Sequence, residues 1–466
     1  MLHILKHELL EQLTSFKFAA GLLLVLVLFG VNGAVFSLRY RSDVVGYRRI
    51  QQRWEQQLAV RKTLDDLPRQ DFSVVKVPLR TAFLASGGQD RLPDAYRFAI
   101  NIWGDMPATY RAASQNAVIE SFQALDWSFV VGTAFSLLAL VFAYDSVSGE
   151  KARGTLKLLQ TYSLSRNSIL FGKLLANLVM LLVMLTGGML LSLLLLLLVG
   201  QIDLGAAEWA RIGLFLVLSA FYITLFLSLA LFLSTATHRP TASMVLAVMV
   251  WVVSIVVIPG VGTLIIQHVK KLPTQNEVSE RAGKVYEMIA AEFKDHASDW
   301  RGREGGKSVD YQAERMSTVA QNKRKHLQEE IWGDYLRQKF AQARIVRRIS
   351  SVSPTSLFGY GAESINGSGV LRDESLVREA RQYRNTVEEW IRQRDLGDPE
   401  SPHLLFQPGY LSLRPLVAGS VPRYQFQEAT VPEGLRDALW RVVLLSAETL
   451  IMLVAAVYVF QRYDVR

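Results

Sequence analysis

The chain has 466 residues, half of them hydrophobic and 20% charged, with a mean hydropathy of +0.20. That balance excludes a disordered chain and an ordinary soluble enzyme. The formal charge of +9, from 51 Lys and Arg against 42 Asp and Glu, fits a membrane protein with basic flanks rather than a nucleic-acid binder. With no cysteine, the chain has no disulfide, no Cys-ligated zinc or iron–sulfur centre and no thiol nucleophile.

The first segment, residues 1–17, sets Ile4, Leu5, Leu9 and Leu13 on one side of a helix and Lys6, Glu8, Glu11 and Gln12 mostly on the other, which suits a helix lying in the membrane interface. Crossing the hydrocarbon of a bilayer takes about 20 apolar residues. Six stretches qualify: 18–38, 127–144, 174–199, 212–234, 242–266 and 439–460. The expected fold is therefore an α-helical polytopic membrane protein with six transmembrane helices and two mainly helical extracytoplasmic insertions, 39–126 and 267–438, closed by a tail at 461–466. Six spans put both termini on one side. Lys6, Lys17, Lys151, Arg153, Lys157, Arg166, Lys173, Arg239, Arg462 and Arg466 mark that side as cytoplasmic, while the loop 200–211 opposite has one Arg against Asp203 and Glu208. This gives a multi-pass protein of the inner (cytoplasmic) membrane, with the first span a retained anchor rather than a cleaved signal.

In the first insertion, Tyr47, Ile50, Trp54 and Leu58 at helical spacing predict a helix continuing outward from span one, after which Pro68, Pro78, Pro93 and Pro107 cut the chain into short pieces. In the second, Val285, Met288, Ile289 and Phe293, then Leu327, Ile331, Leu336 and Phe340, predict a helical hairpin turning at Gly302 to Gly306. Its last third, from Ser353-Pro354 through Gly359, Gly361, Gly367 and Gly369 to Pro422, reads as irregular or short-stranded.

Catalytic motifs are excluded one by one. Gly302 to Ser308 has the wrong spacing for a phosphate loop and no preceding buried strand, and the seven histidines are too dispersed to imply a metal site. Glu448, near the middle of span six, needs protein or water beside it, and either a structural partner or a place in a translocation or gating path answers that need. Pro259 and Gly260 near the outer end of span five predict a kink or re-entrant end, a second candidate for gating.

The loop 145–173 between spans two and three carries the functional signal. Gly149 and Gly154 punctuate it, Glu150 and Thr155 open a short helix, and Leu156 and Leu159 offer an apolar face too short to cross a membrane, beside Lys151 and Arg153. Asp145, Gly149, Glu150, Gly154, Thr155, Leu156, Leu159, Ser165, Arg166, Gly172 and Lys173 together form a connected string that resembles the signature of membrane (permease) subunits of type-2 ABC exporters, in the subset with large extracytoplasmic loops. The resemblance implies that this loop holds a coupling helix seated in a cleft of an ATPase subunit, with Glu150, Arg153 and Arg166 as polar contacts and Leu156 and Leu159 as packing contacts. It further implies a non-catalytic permease that binds no cofactor itself, with ATP and Mg on separate ABC ATPase subunits. The implied partners are those ATPases, a second permease copy or paralogue, membrane lipids and a periplasmic or surface protein, with no nucleic acid. Two alternatives stay open: mechanical transmission to an outer partner without cargo crossing, and a membrane receptor or scaffold with no ATPase.

Overall fold

The computed structural model describes residues 2–70, 72–87, 95–98, 100, 108–110, 125–155, 166–261, 264, 271–293, 311–405, 407, 409–417 and 419–462. Helix α1 (Leu2–Leu13) is followed by α2 (Phe16–Val60), whose N-cap Ser15 accepts a hydrogen bond from the Phe18 amide. At 45 residues α2 is about 67 Å long, roughly twice what a bilayer needs, so one unbroken rod leaves the membrane region and enters the first insertion. Trp54 and Leu58, on the face expected from their spacing, pack against the core of that domain.

Span two is built from α3 (Trp127–Phe129), a π-helical turn (Val130–Phe135) and α4 (Ser136–Ala143), and a short helix α5 (Ser148–Arg153) follows in the loop beyond it. Then come α6 (Arg166–Leu198), α7 (Ala206–Ala236), and α8 (Pro240–Val252) with a second π turn at Val253–Val257. The second insertion contributes α9 (Gln275–Glu292), α10 (Tyr311–Ser350), α11 (Pro354–Asn366) and α12 (Val370–Leu396), and α13 (Val431–Arg462) ends the described chain. Among the described residues six helices are long and apolar enough to cross a membrane, matching the six expected spans.

The helical pair of the second insertion is present as α9 and α10, with Val285 and Ile289 buried against Ala320 and beside Leu327 and Ile331; the turn at Gly302 to Gly306 lies outside the described residues. The expectation of irregular structure from Ser353 onward is corrected over 354–396, which is helical. Ser353 is an N-cap, Pro354 occupies the first helical turn, and Gly367 ends α11 with φ +66°, so the residues that look like breakers are helix-end signals. The described residues between 397 and 430 form no helix or extended strand, in line with the expected irregular or short-stranded segment. The first insertion adds a small antiparallel sheet, β1 (Phe72–Val75), β2 (Ala95–Phe98) and β3 (Ala108–Tyr110), with Phe72 opposite Phe98.

Helix α11 packs as a wedge against the bundle. Its N-terminus sits against the middle of α7, where Phe358 stacks on Tyr222 with ring centroids 4.5 Å apart, and Gly361 then faces Leu218. Gly367, just past its last turn, lies near Arg211 at the start of α7, so the two helices run antiparallel from the bundle interior to one face. The π turns of spans two and five flank this wedge. A π turn frees a backbone carbonyl, and here the Tyr222 hydroxyl donates to Gly132 O at 2.7 Å while the Ser353 hydroxyl donates to Ser254 O. The second π turn also answers the proline in span five. Pro259 has no amide to donate and crowds the preceding turn, and the wider turn at Val253–Val257 lets the helix continue through it. The C-terminal end of α11 is tied down by Asn366 and Ser368, which both donate to Ala85 O at 2.7 Å. Beside them Gly87, at φ +60°, approaches Gly369 so closely that a Cβ on it would lie 2.7 Å from the Gly369 Cα.

Candidate functional site

The candidate residues gather on the face of the bundle that holds both described chain ends. Gly154 adopts φ +74° and ends α5 by accepting the left-handed conformation that other residues resist, so the described helix covers Ser148–Arg153. Leu156 and Leu159, the expected packing contacts, lie outside the described residues.

Lys173 is the centre of the site. Its side chain is 4% exposed, and its ammonium lies 2.7 Å from Glu150 Oε1 and also pairs with Glu8 of α1. Two carboxylates therefore face one buried cation, which satisfies the lysine and joins three separate segments. Glu150, an expected polar contact to an ATPase, points inward here, with its second oxygen buried and without a hydrogen-bond partner among the described residues. Asp145 pairs at 2.9 Å with Lys17, at the start of α2, both groups being more than a third exposed. One turn beyond Lys173, Asn177 accepts from Gln12 at 2.8 Å and donates back to Lys173 O at 2.9 Å, a second link from α1 to α6.

The other side of the loop is clamped to the end of α7. Ser234 Oγ accepts from the amides of Val147 and Ser148, each at 3.0 Å. Lys151 donates to Thr235 O and, at 3.2 Å, to Thr237 O, so a cation covers carbonyls that a helix C-terminus leaves open. Gly149 is buried and Arg153 exposed, its guanidinium 3.6 Å from where a Cβ on Gly149 would be. Thr155 is exposed and Gly172 buried. Arg166 stands apart from the Lys173 cluster and donates to Gln461 O at 2.7 Å, linking the base of α6 to the end of α13.

The site thus comprises α1, the loop 145–155 and the bases of α6 and α7, with Arg153 and Thr155 presented outward. Glu8, Gln12, Asn177 and Ser234 belong to it although their spacing does not announce them. A lysine set among apolar residues at the base of span three signals that some carboxylate must meet it, but pattern alone does not say which. The gating candidates lie elsewhere. Glu448 in α13 has one buried oxygen with no hydrogen-bond partner among the described residues, and Gly260 is exposed with open space around it. No group of three or more His, Asp or Glu among the described residues is arranged to hold a metal ion.

The family model described as ABC-2 family transporter protein matches residues 2–465. The chain is 38% identical over 122 residues to the probable ABC transporter permease protein NosY of Stutzerimonas stutzeri, covering 26% of this chain and 44% of that one. It is 34% identical over 116 residues to the protein of the same name from Pseudomonas aeruginosa, covering 25% and 42%. The matched stretch spans less than half the length of each relative.

Proposed function

Since the chain belongs to the ABC-2 family of transporter proteins, we propose that it is the permease subunit of an ATP-driven exporter, working with separate ATPase subunits that bind ATP and Mg. Both relatives named above are called ABC transporter permease proteins, which supports the same role for this chain. In this account the face carrying both termini is cytoplasmic, the large insertions lie outside, and the chain pairs with a second permease copy or paralogue.

The Glu8–Lys173–Glu150 cluster is the observation that carries the proposal. An ATPase docking under the loop pushes on α5. Because Glu150 and Glu8 share one buried lysine and Ser234 holds the loop to α7, that push moves α1, α6 and α7 together rather than bending a free loop. Arg153 and Thr155, exposed at the end of α5, are the described residues offered to the ATPase, and Glu150 acts by holding the loop in place. Replacing Lys173 with Met tests this: ATP turnover of the purified complex should continue while transport-linked stimulation is lost. Normal coupling in that variant would remove Lys173 from the mechanism.

Mechanical transmission to an outer partner is a second proposal, favoured by one specific feature. α2 runs without interruption from the loop-bearing face into the outer domain, and the 40-residue α10 leads directly to the wedge α11. Motion at the bases of the spans then reaches the outer domain through stiff helices. Cargo transport predicts that changes at Glu448 alter selectivity; mechanical transmission predicts that they do not. Family membership leaves a receptor without an ATPase as the weakest of the three roles.

A further inference from the structure

Helices α10 and α12 run antiparallel, and ion pairs cross between them at several levels. Lys325 meets Glu388, Arg384 lies 3.1 Å from Glu329, and Arg344 lies 2.8 Å from Glu374. One turn beyond the second pair no ion pair crosses among the described residues, and the third pair lies about three turns further on. Gly333 of α10 faces Arg381 of α12, and a Cβ on Gly333 would lie 3.6 Å from both Arg381 Nη1 and Nη2 and 3.3 Å from Arg337 Nη1. Two guanidinium groups thus converge on a position that has no side chain.

Neither arginine is neutralised across this gap. Arg337 pairs with Asp334 on its own exposed helix face. Arg381 is half-buried and has no hydrogen-bond or ion-pair partner among the described residues; the carboxylate that acts on it from a distance, Glu329, is already engaged by Arg384. Burial first and the Arg337 charge second push the Arg381 pKa down, against a smaller upward pull from Glu329. A solvated charged face would account for Arg337 alone, but not for the half-buried Arg381 beside it.

We propose that the Gly333 notch binds an oxyanion, a carboxylate or phosphate group held between Arg337 and Arg381. Paired guanidinium forks suit the planar or tetrahedral oxygens of such groups, and the missing side chain provides the space. The oxyanion comes either free from solution or as an acidic side chain of a protein docked on this domain.

The test follows melting of the detergent-solubilised full chain at constant ionic strength, with inorganic phosphate in one arm and a polyglutamate peptide in the other. The wild type should be stabilised in at least one arm. A response to phosphate identifies a free ion, and a response to the peptide alone identifies an acidic partner. Arg381→Gln should abolish the response. Gly333→Asp should supply the missing carboxylate within the chain, melting about 2–4 °C above the isosteric Gly333→Asn and no longer responding to either anion. Absence of any wild-type response, or an equal response in Arg381→Gln, overturns the proposal. If Gly333→Asp does not accumulate as folded protein, the Arg381→Gln titration decides alone.

Discussion

The Tyr222 hydroxyl lies 2.9 Å from Thr355 Oγ1, so a residue near the midpoint of a membrane-spanning helix is bonded to a residue from the second insertion. The same hydroxyl donates to Gly132 O in the π turn of span two. One side chain therefore binds the wedge α11, α7 and span two together, and the second insertion is anchored inside the bundle rather than resting on it.

Tyr222→Phe keeps the ring stacked on Phe358 but leaves the buried Gly132 carbonyl without this donor. The Ser136 hydroxyl still donates to that carbonyl at 2.7 Å, so the expected cost is that of one hydrogen bond, about 0.5–1.5 kcal/mol, seen as a lower melting temperature of the solubilised protein. If the wedge also transmits motion, the variant loses coupling at temperatures where it remains folded. Unchanged stability would show that the hydroxyl is dispensable to the packing.

At the opposite face, Glu8→Gln and Glu150→Gln each leave Lys173 one carboxylate, whereas the double variant leaves a buried ammonium with none. Breaking a buried ion pair costs about 3–5 kcal/mol. The double variant should therefore lose more stability than the two single variants combined, and a thermal double-mutant cycle reads the difference. Strict additivity would mean that the two carboxylates do not share the lysine.

Gly154→Ala places a Cβ on a residue at φ +74°, a conformation that costs a non-glycine residue about 1–2 kcal/mol. Space is not the obstacle, because no atom lies within 4 Å of that Cβ. The strain should appear as weaker ATPase binding with membrane insertion unchanged. Asn, which tolerates this conformation better, should restore part of the binding.

Acidification should loosen the outer domain. Burial raises the Glu388 carboxyl, but its hydrogen bonds and charge pairing with Lys325 and Arg392 outweigh this and hold its pKa below the ordinary 4.5. A lowered acid pKa contributes stability that is present above the unfolded value and is lost as pH falls through the folded value. The outer domain's melting temperature should therefore fall below about pH 4, and Glu388→Gln should flatten that part of the curve. An equal fall in Glu388→Gln would assign the acid sensitivity to other groups.

The spans were legible because hydrophobic length is a one-dimensional property, and the helical continuation of span one into the first insertion followed from Tyr47, Ile50, Trp54 and Leu58 at helical spacing. Helix α11 was not legible, because its glycines and Pro354 imitate a loop when read locally. What makes it helical is a capping serine, a proline in the first turn and contact with Tyr222, and the last of these is 133 residues away in sequence. Loop 145–173 was recognisable as a connected string, but the inward turn of Glu150 depends on Glu8 and Lys173, which only the folded chain brings together. The β-strands of the first insertion are three or four residues long, too short for alternation to stand out.

The most direct test of the central claim is to purify the protein from membranes, identify what accompanies it by mass spectrometry and assay the eluate for ATP hydrolysis. The account predicts that an ATPase with a phosphate-loop motif co-purifies, and that replacing residues 149–155 with a flexible linker releases it while the permease stays in the membrane. Recovery of the properly inserted protein without any ATPase, or retention of the ATPase after the loop is replaced, would contradict it.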